Sequence, residues 1–298
     1  MYGKPKRVAI IGCQKWDIFG IYSLAKSDAV DEVILVGERN VELASKTNRL
    51  LDENDVRRKV QLFAGSYSDA ADADIAVIAV ESEKLEGDSS IIHLRKTAVA
   101  VSHTVRALLD TGFQGIILMI TNPIPLMANL AQSISGFATG RVIGLGTSND
   151  GTAVLSPLFI GKASWCTGED PTIMFVDNCD PVCPSFEKVL RNVRRTSIRH
   201  HPGNRLCSLA TCVTRICEAI LRDEATILPV STLANGQYGV SGIYMTLPAV
   251  IGRQGVERIV ALPTTNNERK RMRSYAERIR SMKQGVFESA SALNREVA

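Results

Sequence analysis

Six short apolar runs punctuate the first 145 residues, and their spacing leaves this chain very few ways to fold. They are RVAIIG at Arg7–Gly12, EVILV at Glu32–Val36, VQLF at Val60–Phe63, DIAVIAV at Asp74–Val80, GIILMIT at Gly115–Thr121 and RVIG at Arg141–Gly144. Each is rich in β-branched and aliphatic residues without polar alternation, the mark of a strand covered on both faces. Helical spacing lies between them at Ile18–Ser27, over 90–109 and at Leu126–Ser135. Strands alternating with helices predict an α/β fold, a doubly wound parallel sheet with crossover helices on both faces.

After Gly146 the pattern changes. Residues 150–160 read as a helix, 171–177 (PTIMFVD) as a strand, and 184–200 as an irregular basic stretch. A helix at 206–222 follows, then strands at 227–231, 242–247 and 256–260. The last stretch, from about 266 to 290, is a charged helix with an apolar stripe at Met272, Tyr275, Ile279, Met282 and Val286. The expected division is two domains, 1–146 and 147–298, with no flexible linker between them.

Composition narrows the partners. A chain of 298 residues that is 45% hydrophobic can bury a core without disulfides or metal. Seven cysteines, an odd number in a chain this large, point to a reducing compartment. Cys179 and Cys183, and then Cys207, Cys212 and Cys217, lack the paired short spacings of a zinc site, so no metal is expected and buried free thiols are. No apolar stretch approaches a signal segment or a membrane span, so the expected setting is the cytoplasm, away from membrane. Lys plus Arg is 35 against 31 for Asp plus Glu; the net charge of +4 is too mild to point to nucleic acid.

Four long stretches carry a resemblance: GSYSDAADADIAVIAV (65–80), GFQGIILMITNP (112–123), RVIGLGT (141–147) and ILPVSTLANGQYGVSGIYMTLPAVIGRQGVERI (227–259). In this order they resemble the lactate/malate dehydrogenase family over nearly the whole chain. The resemblance implies a Rossmann-type NAD-binding domain followed by an α+β substrate domain, assembled as a homo-oligomer, a dimer or a tetramer. It implies NAD or NADP as cofactor. It also makes residues 180–205 several helical turns shorter than in the family.

The family's working residues are mostly absent. A dinucleotide loop needs glycines for its tight turn, for close approach of the pyrophosphate and for helix packing. Here the segment is Gly12-Cys13-Gln14-Lys15-Trp16-Asp17, with Gly12 kept and Gln14 and Asp17 at the other glycine positions. A carboxylate at 17 suits a helix N-terminus but opposes an anionic ligand, which Lys15 offsets in part. The ribose-binding acid is replaced by Gly37, leaving Glu38 one residue late for the ribose and Arg39 placed to meet a 2′-phosphate. Glu81 stands where the resemblance implies a glycine close to the cofactor. Its plainer reading is a solvated acidic loop.

The resemblance also assigns the chemistry. Asp150 matches the aspartate that fixes the catalytic histidine, but the histidine itself is Cys179, a thiol with an ordinary pKa near 8.5 and no second nitrogen. Ala153 takes the place of the arginine that grips the substrate carboxylate, and Ser90 that of the loop arginine that polarises the carbonyl. Lys84 lies at the substrate-selecting position, and Arg205 where the family carries a small polar residue near the substrate. Asn122 is retained beside the nicotinamide and substrate, although it also reads as a turn residue before Pro123. The histidines His93, His103, His200 and His201 match no catalytic position.

The expectation is therefore a family member with a degenerate hydride-transfer site, catalytically weak or inactive, that acts as scaffold, regulator or sensor. The alternative is an active NAD(P)-dependent oxidoreductase for a small 2-hydroxy or 2-oxo acid, rewired around Lys84, Arg205, Asp150 and Cys179. A third reading is a binding module. Its basic strip (Arg191, Arg194, Arg195, Arg199, His200, His201) and the cations of the last helix (Arg269, Lys270, Arg271, Arg273) would meet an acidic partner, a protein or a nucleic acid. Without interleaved aromatics, a solvated surface is the simpler account of that strip.

Overall fold

The computed structural model describes residues 4–12, 18–38, 40–53, 60–83, 85, 87, 89–146, 205–261, 264 and 266–296. Six parallel strands open the fold: β1 (Arg7–Ile11), β2 (Glu32–Val36), β3 (Gln61–Gly65), β4 (Ile75–Ile78), β5 (Ile116–Met119) and β6 (Val142–Leu145). They lie in the order β3-β2-β1-β4-β5-β6, each within a residue or two of its expected place. The chain runs outward from β1 to β3, then returns beside β1 as β4. That reversal opens a crevice at the carboxyl ends of β1 and β4, where sheets of this kind take ligands.

Both faces are covered, as the strand composition requires. Val8 and Ile10 of β1 pack in one core with Ile21 and Leu24 of α1 (Ile18–Ala25), Leu43 and Leu51 of α2 (Asn40–Glu53) and Val213 and Ile216 of a later helix. Ala9 and Ile11 point the other way, into a core with Val101 and Leu108 of α3 (Ser90–Asp110) and Leu126 and Met127 of α4 (Ile124–Ser135). The later helix is α5 (Arg205–Leu221).

The strands after α5 extend this same sheet. β7 (Thr226–Asn235), β8 (Ser241–Gly252) and β9 (Gly255–Ile259) add on antiparallel, making nine strands, and β7 joins β6 through Gly144 opposite Ser231 and Leu145 opposite Val230. A Cβ on Gly144 would lie 2.7 Å from Ile124 Cγ2 and 2.8 Å from Ser231 Cβ, so a glycine lets α4 and β7 close on β6. The stretches expected at 171–177 and 150–160 lie outside the described residues.

The last helix, α6 (Asn266–Glu296), uses the stripe read from its sequence. Met272 and Ile279 are buried against Met245 and Leu247 of β8, and Val286 against the α3–α4 core. Truncating either Met272 or Ile279 to alanine should cost about 2–4 kcal/mol, read as a fall in the urea midpoint. Lys270→Ala on the exposed face should leave it within about 0.5 kcal/mol. Among the described residues, no helix is long and apolar enough to cross a membrane.

Candidate functional site

Three strand ends build the crevice. β1 ends at Gly12, whose φ is +86° and whose N–H donates to Val36 O at 3.0 Å. A Cβ there would come 2.5 Å from Val80 Cγ1 and 2.8 Å from Val80 N and Cα. Gly12 is thus demanded by the close approach of β1 and the residue after β4, whether or not a phosphate binds. β2 ends at Gly37, with φ +127°, followed by an exposed Glu38. Asn40 ties this end to β3, its Nδ2 donating to Gly65 O at 3.1 Å.

The connection after β4 carries a polar network. His93, in the first turn of α3, sets Nε2 3.2 Å from Glu81 Oε1 and Nδ1 3.2 Å from Ser82 Oγ. Ser82 Oγ lies 2.9 Å from Thr97 Oγ1, one helical turn beyond His93, and the Ser82 N–H reaches the same hydroxyl at 3.4 Å. Each ring nitrogen thus has a partner, the Glu81 carboxylate at Nε2 and the Ser82 hydroxyl at Nδ1. Glu81 and His93 side chains are 22% and 21% exposed, so the pair is neither solvated nor sealed. The solvated acidic loop expected at Glu81 is corrected: the carboxylate is held, because His93 faces it across the connection. Glu83, two residues on, is exposed.

β5 ends in Thr121, Asn122 and a cis Asn122–Pro123 bond. Thr121 Oγ1 donates to Val80 O at 2.8 Å and so locks the exits of β4 and β5 together. Asn122 Oδ1 is buried and has no hydrogen-bond partner among the described residues. A buried acceptor without a donor costs about 1–3 kcal/mol, and a ligand donor would remove that cost. After β6, Gly146 O accepts from Thr246 Oγ1 at 3.1 Å.

Gly12, Glu38 and Asn122 therefore stand along one edge of the sheet, joined by Glu81 and His93. Ser90 is the exposed first residue of α3, behind the Ser89 cap, and Arg205 is the first residue of α5. Gln14 and Asp17, with Arg39, Lys84, Asp150, Ala153, Cys179 and the basic strip, lie outside the described residues. His103 is exposed on α3. Cys217 is a fully buried free thiol whose pKa burial pushes up, and Cys212 is half-buried.

His93 is the residue that the sequence reading passed over. Two signals were available: a carboxylate and a hydroxyl side by side after a strand, and a threonine four residues beyond the histidine on a helix. Neither fixes a contact without the turn that brings residue 93 back over residue 81.

A cavity of about 670 Å³ opens at the opposite, amino edge, lined in part by Lys4, Lys6, Asp72, Asp74, Arg141 and Arg253. Its cations already serve the frame. Lys4 Nζ donates to Asp72 O at 3.0 Å, and Arg141 donates to Gln114 O and Gly115 O while lying over the Phe137 ring.

Comparison with known proteins follows this geometry. Residues 6–144 match the model of the lactate/malate dehydrogenase NAD binding domain, and residues 195–290 that of the lactate/malate dehydrogenase alpha/beta C-terminal domain. L-lactate dehydrogenase 2 of Lactiplantibacillus plantarum is 26% identical over 302 residues, covering 94% of this chain and 97% of the relative. The L-lactate dehydrogenase of Priestia megaterium is 28% identical over 311 residues, covering 95% and 98%. Among solved structures, the lactate dehydrogenase of Cryptosporidium parvum, complexed with lactic acid and β-nicotinamide adenine dinucleotide, shares the fold. Its TM-score is 0.71 at 18% identity, covering 96% of this chain and 99% of that one. With both domain models matched in order over more than half of its residues, the chain belongs to the lactate/malate dehydrogenase family.

Proposed function

We propose that this chain binds a nicotinamide dinucleotide along the carboxyl edge of β1, β4 and β5. We further propose that it reduces 2-oxo acids weakly or not at all, and works as a dinucleotide-responsive sensor or scaffold. The observation that carries the reading is Asn122, whose buried Oδ1 has no donor among the described residues and lies at the edge where the family model implies the cofactor. Glu38 is exposed after β2 for the adenosine ribose, and Arg39 follows in sequence for the 2′-phosphate of NADP. A bound dinucleotide supplies the hydride. What the chain must add is a grip on the substrate carboxylate and a proton donor at its carbonyl. Ala153, Ser90 and Cys179 supply neither in the family's way, and losing such groups costs orders of magnitude in rate.

The test is a fluorescence titration of purified protein with NADH and NADPH, followed by nucleotide oxidation with a panel of 2-oxo acids. Saturable binding without acid-dependent oxidation is expected. No binding at millimolar nucleotide overturns the binding half, and turnover overturns the other.

One observation favours the second reading, a working oxidoreductase: an imidazole paired with a carboxylate does stand at this edge, in Glu81 and His93. That reading requires 2-oxo-acid turnover that Asp150→Asn abolishes. The sensor reading extends to a cytoplasmic homo-oligomer with a protein partner, for which light scattering of the pure protein is the first check.

A further inference from the structure

The cavity at the amino edge of the sheet lies at the opposite end of the strands from the dinucleotide crevice. Lys4 and Lys6 lead into β1, Asp72 and Asp74 into β4, and Arg141 into β6, while Arg253 stands on the turn between β8 and β9. The parallel strands and a turn far away in sequence thus close on one space of about 670 Å³. That volume falls in the range of about 300–1,000 Å³ typical of small-molecule sites.

Four cationic side chains line the cavity against two carboxylates, an excess of two positive charges. Helix ends do not consume it. α3 and α5 both end at this edge, and the negative end of a helix favours cations. Their last turns are closed by their own backbone instead. Leu108 O and Leu109 O accept from the Thr111 and Gly112 N–H groups, and Glu218 O, Ala219 O and Ile220 O from those of Arg222, Glu224 and Asp223. The two carboxylates are engaged with Arg7, which does not line the cavity. Asp74 Oδ2 accepts the Arg7 N–H at 2.8 Å, and Asp72 Oδ2 lies 4.0 Å from Arg7 Nη1.

The cations keep donors in hand. Lys4 Nζ makes one bond, to Asp72 O, and Arg141 spends only Nη2 on the Gln114 and Gly115 carbonyls. Arg253 Nε lies 3.7 Å from Asp223 Oδ2, with its side chain 70% exposed. Lys6 is half-buried, and its backbone N–H is held by Asp31 Oδ2 at 2.8 Å. Its ammonium has neither a hydrogen bond nor an ion pair among the described residues. A partly desolvated charge without a counter-charge carries a cost that a bound anion removes.

We propose that this cavity binds a small organic oxyanion of two negative charges, a phosphate ester or a dicarboxylate, through Lys4, Lys6, Arg141 and Arg253. The charge excess sets the dianion. The mixture of ammonium point charges with guanidinium forks suits carboxylate and phosphate oxygens. Ala71, Ala73, Ile220 and Leu221 give the carbon skeleton an apolar wall. The proposal stands whether or not a dinucleotide binds at the other edge.

The test is a calorimetric titration of the full chain with inorganic phosphate and with succinate, at about pH 7.5 and low ionic strength, against chloride at matched ionic strength. Saturable binding of one or both dianions is expected, with chloride silent. Phosphate alone would assign a phosphate ester, and succinate alone a dicarboxylate. Lys6→Gln should weaken binding about fivefold, and Lys6→Gln combined with Arg253→Gln by about twentyfold or more. Asp72→Asn removes an opposing charge and leaves the Asp72 carbonyl to Lys4, so it should tighten binding about twofold. Lys270→Gln, which removes an exposed cation of α6 outside the cavity, should change nothing. Thermal midpoints without anion establish that each variant folds, and a dianion should raise the midpoint of wild type but not that of the double variant.

Three results overturn the proposal. The first is no saturable binding of either dianion at tens of millimolar. The second is wild-type affinity kept by the folded double variant, which would place the anion elsewhere. The third is an equal loss in Lys270→Gln and Lys6→Gln, the mark of general attraction to a basic surface.

Discussion

Gly12→Ala should lower stability by about 3 kcal/mol or more, even with no nucleotide present. Two costs add. A residue with a Cβ pays about 1–2 kcal/mol at a φ of +86°, where L side chains are rarely found. The new methyl would also sit 2.5 Å from Val80 Cγ1 and 2.8 Å from Val80 N and Cα. Rotating the valine relieves the first contact only. The second is with backbone, and Val80 O is itself held by Thr121 Oγ1 at 2.8 Å. A second substitution, Val80→Ala, should therefore recover less than half of the loss, and a thermodynamic cycle on urea midpoints measures that fraction. A stable Gly12→Ala protein would mean that the β1 and β4 exits are not in contact. The same geometry disarms an argument. A glycine at the end of β1 is kept here by packing, so its presence says nothing for phosphate binding, and the dinucleotide reading must stand on Asn122 and on titration.

β1, β2, β4, β5 and β6 were legible because they are sealed on both faces and almost wholly apolar, while the edge strand β3 exposes Gln61 and Phe63. Val8 to Ile11 are all buried, two toward each core, and no polar residue interrupts them. The stripe on α6 was legible for a related reason. A helix covering the sheet from one side shows its apolar residues at helical spacing against a charged background. α2 was not legible. Its buried line, Leu43, Ala44, Thr47 and Leu51, does recur at helical spacing, but with a hydroxyl in its middle and a small residue beside Leu43 it was not picked out. The joining of β7 to β6 was hidden too. It depends on Gly144 and Ser231 meeting across the sheet, and pairing between distant segments leaves no local mark.

The crevice divides along the same line. Strand ends follow from strands, so Gly12, Glu38 and Asn122 fell at one edge as soon as the sheet order was known. Side chains that meet through a turn do not follow. Glu81 reads as a solvated acid and His93 as a helix-face residue, and only the bend between β4 and α3 shows that each answers the other.

Tyr244→Ala should cost about 3–5 kcal/mol, the range for emptying a large aromatic from a packed core. Tyr244 is fully buried on β8, and its hydroxyl donates to Val142 O of β6 at 3.2 Å. It thus reaches past β7 and ties the antiparallel strands to the parallel ones. Tyr244→Phe separates the ring from the hydroxyl. It keeps the packing and strands one carbonyl acceptor, at about 1 kcal/mol. Urea unfolding followed by circular dichroism gives both values, and Tyr244→Phe matching Tyr244→Ala would mean that the hydrogen bond, not the packing, holds the seam. Alkaline pH supplies an independent reading of the same residue. Burial raises the Tyr244 hydroxyl above its ordinary value near 10, so the folded chain keeps a proton that the unfolded chain releases. Stability from this group is full below about pH 10 and declines as pH rises beyond it. Cys217, raised by burial from 9.0, adds a loss of the same sign that begins about one pH unit lower. Tyr244→Phe should therefore make the decline above pH 10 shallower while leaving the thiol contribution in place. An unchanged alkaline slope would show that the hydroxyl is open to water, and the tie between β8 and β6 would then have to rest on the ring alone.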